Sequence, residues 1–97
     1  MTDKQLIKLT KGFTKGMNRG IDRMCYAISA PLQGYLSFCG VECRLIECEV
    51  TTPTEFWGHF CIELKDGRIL DATAGQFKGL NLPTIYLGEL PNSYRKL

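Results

Sequence analysis

No apolar run in this chain reaches the roughly 18 residues that a membrane span requires, because charge or glycine interrupts each one first. The N-terminus also lacks the apolar core of a secretory signal. Both absences lead us to expect a soluble, cytoplasmic protein with no membrane partner. The five cysteines, Cys25, Cys39, Cys43, Cys48 and Cys61, are odd in number, and without a secretory context this argues against a disulfide framework and for reduced thiols. No C-x2-C pair occurs among them. The spacings present, three residues between Cys39 and Cys43 and four between Cys43 and Cys48, run from a helix end into a strand where alternate side chains diverge. A zinc site drawn from Cys39, Cys43, Cys48, His59 and Cys61 is therefore disfavoured. Internal repeats and low-complexity segments are missing too. With 97 residues and 44% hydrophobic content, the chain suffices for one domain, 1–97, with a modest core and no room for a separate cofactor domain. No cofactor and no metal are expected.

The charge that is present is unevenly placed. Lys4, Lys8, Lys11, Lys15, Arg19 and Arg23 face only Asp3 and Asp22 in the first 23 residues, so the remainder of the chain is net acidic. Leu6, Thr10, Phe13 and Met17 share one side of a helical wheel and Lys4, Lys8, Lys11 and Lys15 the other, which predicts a basic amphipathic helix within 1–20. Gly12, Gly16 and Gly20 recur along its flank, so the helix is either tightly packed there or frays toward its end. The lysine face has no interleaved aromatics and no nucleic-acid-binding motif. A solvated face is the simpler reading, and nucleic acid is the lesser alternative.

A second helix is predicted over 22–39, with Asp22 as a cap, an apolar series from Met24 to Cys39, and Gly40 as the stop; Pro31 predicts a kink or a late start. From Val41 the period becomes two, and antiparallel strands are expected through 41–87, with a bulge at Leu45–Ile46, strands at 56–64 and 68–73, and a last strand near 85–87. Residues 88–97 read as a tail. The fold class expected is α+β, with N-terminal helices packed on a small antiparallel sheet.

The turn Lys65-Asp66-Gly67 decides whether a site can form. A two-residue turn would set Ile62 opposite Asp71 and place His59, the only histidine, on the other face from Asp71. A three-residue loop with left-handed Gly67 pairs Cys61 with Asp71 and His59 with Thr73, so His59 and Asp71 become diagonal neighbours. Phe60, Ile62, Leu64, Leu70 and Ala72 then form a clean apolar face. The first register would bury an unpaired carboxylate among those residues, so packing favours the second.

An aspartate beside a histidine orients the imidazole that deprotonates a nucleophile. Cys25, in the first turn of the second helix, is the thiol best placed for that role, because a helix N-terminus and an imidazolium both favour thiolate. The stretches "MCYAISAPLQGYLSFCGVECRLIECEV", "GHFCIEL" and "DGRILDATAGQF" resemble the transglutaminase-like branch of the papain-like superfamily across residues 24–77. That resemblance implies Cys25 as nucleophile, His59 as general base and acid, Asp71 as orienting carboxylate, and the Cys25 amide as one oxyanion donor. Asn18 is the candidate for a second donor. Trp57 and Gln76 flank the site, where they either wall it and bind substrate or simply pack.

Two classes of function follow, besides the nucleic-acid binder. One is a cysteine-dependent hydrolase or acyltransferase, acting as peptidase, deamidase or transglutaminase-like enzyme on a protein or peptide through an acyl-enzyme thioester. The other is a non-catalytic interaction or inhibitor protein on the same fold, of the kind that phages and mobile elements encode.

Overall fold

The computed structural model describes residues 1–17 and 24–97. Two helices, α1 (Asp3–Thr14) and α2 (Cys25–Phe38), precede five strands: β1 (Cys43–Thr51), β2 (Phe56–Leu64), β3 (Ile69–Asp71), β4 (Tyr86–Gly88) and β5 (Tyr94–Lys96). The strands form one antiparallel sheet in the order β4-β3-β2-β1-β5. The class is α+β. No helix among the described residues is long and apolar enough to cross a membrane.

α1 begins on a capping box, in which Thr2 Oγ1 accepts from the Gln5 amide while the Gln5 side chain accepts from the Thr2 amide. It stops at Thr14, short of the span expected through residue 20. Gly12 has open space around it and Gly16 adopts φ 83°, so the glycines end the helix rather than pack it. Asn18, Asp22 and the expected cap at Asp22 lie outside the described residues. α2 starts at Cys25, with Met24 preceding it and no side-chain cap. Its buried stripe, Cys25, Ile28, Ser29, Leu32 and Leu36, follows the helical period. Pro31 lies within the helix on its exposed side, where the lost backbone donor faces solvent, and the helix continues through it. At its end the Val41 amide donates to the Leu36 carbonyl and the Gly40 amide to that of Ser37, with Gly40 at φ 87°, which closes the C-terminus as a Schellman turn.

The sheet has two cores, one on each face. Ile62, Leu64, Leu70 and Ala72 face the helices and join Leu6, Ile28, Leu32 and Leu36. Cys48, Val50, Cys61, Ile69, Phe77 and Tyr94 make a second cluster on the opposite face. This second core accounts for a correction at β1. The pairing with β2 runs without interruption from Cys43↔Leu64 to Thr51↔Phe56, so there is no bulge at Leu45–Ile46. The apolar set changes face there because the strand leaves the helix-covered core and enters the other. The expected tail is a second correction: Tyr94–Lys96 pairs with β1 as an edge strand.

The hairpin adopts the three-residue register. Ile62 pairs with Leu70 and Glu63 with Ile69, the Gly67 amide donates to the Leu64 carbonyl, and Gly67 sits at φ 89°. A Cβ at Gly67 would meet nothing, so the cost of Gly67→Ala is conformational alone, about 1 kcal/mol. We expect that loss in a urea titration, with the hairpin register and the thiol chemistry below unchanged.

Candidate functional site

β3 ends at Asp71, and the chain then makes a short 3-10 turn, Ala74–Gln76, before Phe77 enters the second core. Beyond that point β2 has lost its partner on one side, and α2 docks its first turn on the exposed edge. Both backbone groups of Phe60 are used there. Its N–H points to the Cys25 thiol, and its carbonyl accepts from Ser29 Oγ at 3.4 Å. Cys25 and Ser29, four residues apart, lie on one face of the helix as this docking requires.

His59 is buried, with Asp71 Oδ2 2.7 Å from its Nε2. The other nitrogen, Nδ1, is left for the side chain of Cys25, with which the imidazole interacts, and for the Gln76 amide at 3.4 Å. Gln76 Nε2 also donates to Thr73 Oγ1 at 3.2 Å. The rings of Phe77 and Tyr94 stand edge-on to the imidazole at centroid distances of 4.7 and 5.6 Å.

Asp71 is fully buried and its oxygens are saturated. Oδ1 accepts from the Thr73 amide at 3.0 Å and the Thr73 hydroxyl at 3.2 Å. Oδ2 accepts from Tyr94 at 2.6 Å besides His59. Tyr94 was not foreseen from the sequence, since it lies in the segment read as a tail. Burial, and after it the neighbouring Asp71 carboxylate, push the phenol pKa well up.

The electrostatics of the pair move in opposite directions. Burial disfavours the Cys25 thiolate, yet the interaction with His59 and the amides of Phe60 and Tyr26 outweigh it and lower the pKa from 9.0. Burial likewise opposes the imidazolium, but Asp71 and Cys25 overcome it and raise His59 from 6.5 to about 9. Each group thus favours the charged form of the other, and Asp71 lies 2.7 Å from the far nitrogen of the imidazole. Cys61, hydrogen-bonded with Cys48 in the second core, is pushed the other way by that bond and by burial, as expected of a filler thiol.

Of the other residues singled out, Trp57 is half-buried on the His59 face, opposite Val50, and packs against the second core. Among the described residues no three His, Cys, Asp or Glu side chains are placed to hold a metal ion.

The pair has a pH signature. His59, with its folded pKa raised, contributes stability that is complete below 6.5 and lost as pH rises through about 9. Cys25, with its folded pKa depressed, contributes stability present above 9.0 and lost as pH falls through the lowered value. Between 6.5 and about 9 the two contributions act in opposite directions, and over the part of that range above the lowered Cys25 pKa they offset each other. Stability in that window should be nearly flat in the parent protein. It should decline with rising pH in Cys25→Ser, whose imidazolium is no longer matched by a thiolate. Urea titrations at both ends of the window measure this directly.

Comparison of the chain with protein-family models, with curated proteins and with solved structures gives no match. The functional reading therefore rests on the residues and their geometry.

Proposed function

We propose that this chain is a cysteine-dependent hydrolase or acyltransferase of the papain-like, transglutaminase-like type, acting on a protein or peptide. The observation that carries the reading is the grouping of Cys25, His59 and Asp71: a thiol at the start of a helix interacting with a buried imidazole, and a buried carboxylate 2.7 Å from that imidazole, an arrangement that favours a lowered thiol pKa and a raised imidazole pKa. Structural ion pairs also perturb titration, but they seldom place a helix-terminal thiol against a histidine whose second nitrogen is fixed by a saturated aspartate.

In this reading the Cys25 thiolate attacks an acyl carbon, and its sulfur forms the new bond while the carbonyl electrons move to oxygen. The Cys25 amide, at the first position of α2, has no carbonyl one turn earlier in the helix to pair with and is the donor nearest the oxyanion. Collapse expels the leaving amine or alkoxide, which takes the Nδ1 proton of His59, and leaves a thioester on Cys25. The neutral imidazole then accepts a proton from water or an amine as that nucleophile attacks the thioester, and the product acid or amide departs. Asp71 keeps Nε2 protonated throughout, which fixes the tautomer that presents Nδ1 to sulfur. Gln76 stands where it can donate to Nδ1 during the neutral interval.

The test is covalent capture. A panel of peptide vinyl sulfones is incubated with the protein and the adduct located by mass spectrometry. The proposal expects one adduct, on Cys25, that fails to form in His59→Ala. Adducts distributed over Cys39 and Cys43, the more exposed thiols, with none on Cys25, would exclude it.

A further inference from the structure

A groove of about 720 Å³ runs between α1 and the β4 side of the sheet; it shares no residue with the Cys25 site, although Tyr86 in its lining pairs with Asp71 across β4 and β3. One wall is α1, contributing Lys4, Lys8 and Lys11; Pro83, Ile85, Tyr86 and Leu87 form the other, and Ile7 faces it from the helix. Three features of this groove are unexplained by acyl-transfer chemistry. First, none of the three lysines takes part in an ion pair or hydrogen bond among the described residues. The one carboxylate in the lining, Asp3, is engaged by Arg68 at 2.7 Å. Second, apart from Asp3, Tyr86 and those ammonium groups, the lining is aliphatic or proline. Third, β4 is the terminal strand of the sheet, hydrogen-bonded to β3 on one side only. An edge strand is a template for a further strand unless it is blocked, and here the lysines that flank it repel a second copy of the same basic helix.

We propose that this groove is a docking site for an acidic, aliphatic segment of a partner polypeptide, which lies extended along β4 with its carboxylates on Lys4, Lys8 and Lys11. An extended segment presents alternate side chains to one face, so acidic and aliphatic residues in close succession satisfy the ammonium groups and the Ile7–Ile85 floor together. A nucleic-acid backbone would meet the lysines but leave the floor empty, and the face has no exposed aromatic arrangement on which bases stack. An anionic membrane surface cannot enter a concave groove walled by a helix and a strand.

The test selects random phage-displayed peptides on the folded protein, with counter-selection on the triple variant Lys4→Gln, Lys8→Gln, Lys11→Gln. These lysines are solvent-facing, so the variant is expected to fold, which circular dichroism verifies. The enriched peptides should mix Asp or Glu with Val, Ile or Leu and bind the parent protein at least about tenfold more tightly than the triple variant. Serine in place of their aliphatic residues should weaken them by a similar factor, and Cys25→Ser should leave binding intact. Enrichment of no lysine-dependent sequence would overturn the proposal. So would indifference to the aliphatic residues, or lysine-dependent binding confined to duplex DNA or phosphatidylserine vesicles. Because Cys25→Ser is part of the design, loss of the acyl-transfer reading leaves this outcome unaffected.

Discussion

Asp71→Ala is expected to lower the stability of the fold by about 3 to 5 kcal/mol, the largest effect of any single change at the site. The carboxylate is fully buried and accepts from His59, Tyr94 and both donors of Thr73, so truncation strands several polar groups in a region that water does not reach. Total stabilities of small domains lie near 5 to 15 kcal/mol, so the variant should be marginal rather than merely weakened. Asp71→Asn retains an oxygen for Thr73 but turns an amide N–H toward donors at His59 and Tyr94, and should fall between the two. Tyr94→Phe removes one donor and leaves the others, so about 1 to 2 kcal/mol is expected. Trp57, half-buried against the second core and the only tryptophan, is a convenient fluorescence reporter for urea titrations of all three. A loss under about 1 kcal/mol for Asp71→Ala would mean that this hydrogen-bond network does not hold the native state together.

His59→Ala should cut the alkylation rate of Cys25 by iodoacetamide near pH 6 by at least about tenfold. The argument has two opposing parts. Losing the imidazolium returns the thiol toward its ordinary pKa and sharply reduces the thiolate fraction. The thiolate that remains is more basic and hence more nucleophilic, which recovers part of the rate. The amides of Phe60 and Tyr26 stay in place and preserve some of the depression, so a complete return to free-thiol behaviour is not expected. Cys39, exposed at the far end of α2, supplies an internal reference whose rate should not change. An unchanged Cys25 rate in His59→Ala would separate the thiol from the histidine and remove the basis for proton transfer between them.

The hairpin was legible in the sequence because three signals coincide at it. Gly67 permits the left-handed residue, the apolar set Ile62, Leu64, Leu70 and Ala72 aligns in only one register, and Asp71 is costly in the other. The observed pairing of Ile62 with Leu70 and the 2.7 Å contact of His59 with Asp71 follow from that register. The neighbourhood of Cys25 was legible only as a type, a thiol at a helix start; that its partner would be the unpaired edge of β2 at Phe60 depends on where β3 stops, which no local pattern states. Tyr94 was missed because its strand is three residues long and lies 23 positions from Asp71, too short for alternation to register. A tyrosine with a buried ring and a polar tip was the available hint. The false bulge in β1 arose because alternation reports which residues are buried but not how many cores bury them.

The most direct measurement of the central claim is the pH dependence of alkylation at each of the five cysteines of the native protein, resolved by mass spectrometry. The account predicts that Cys25 reaches its plateau below the free-thiol pKa of about 8.5. Cys48 and Cys61, fully buried, should react only on unfolding. A Cys25 profile with its midpoint at or above that free-thiol value would contradict it, because no thiolate–imidazolium pair would then exist in the resting protein.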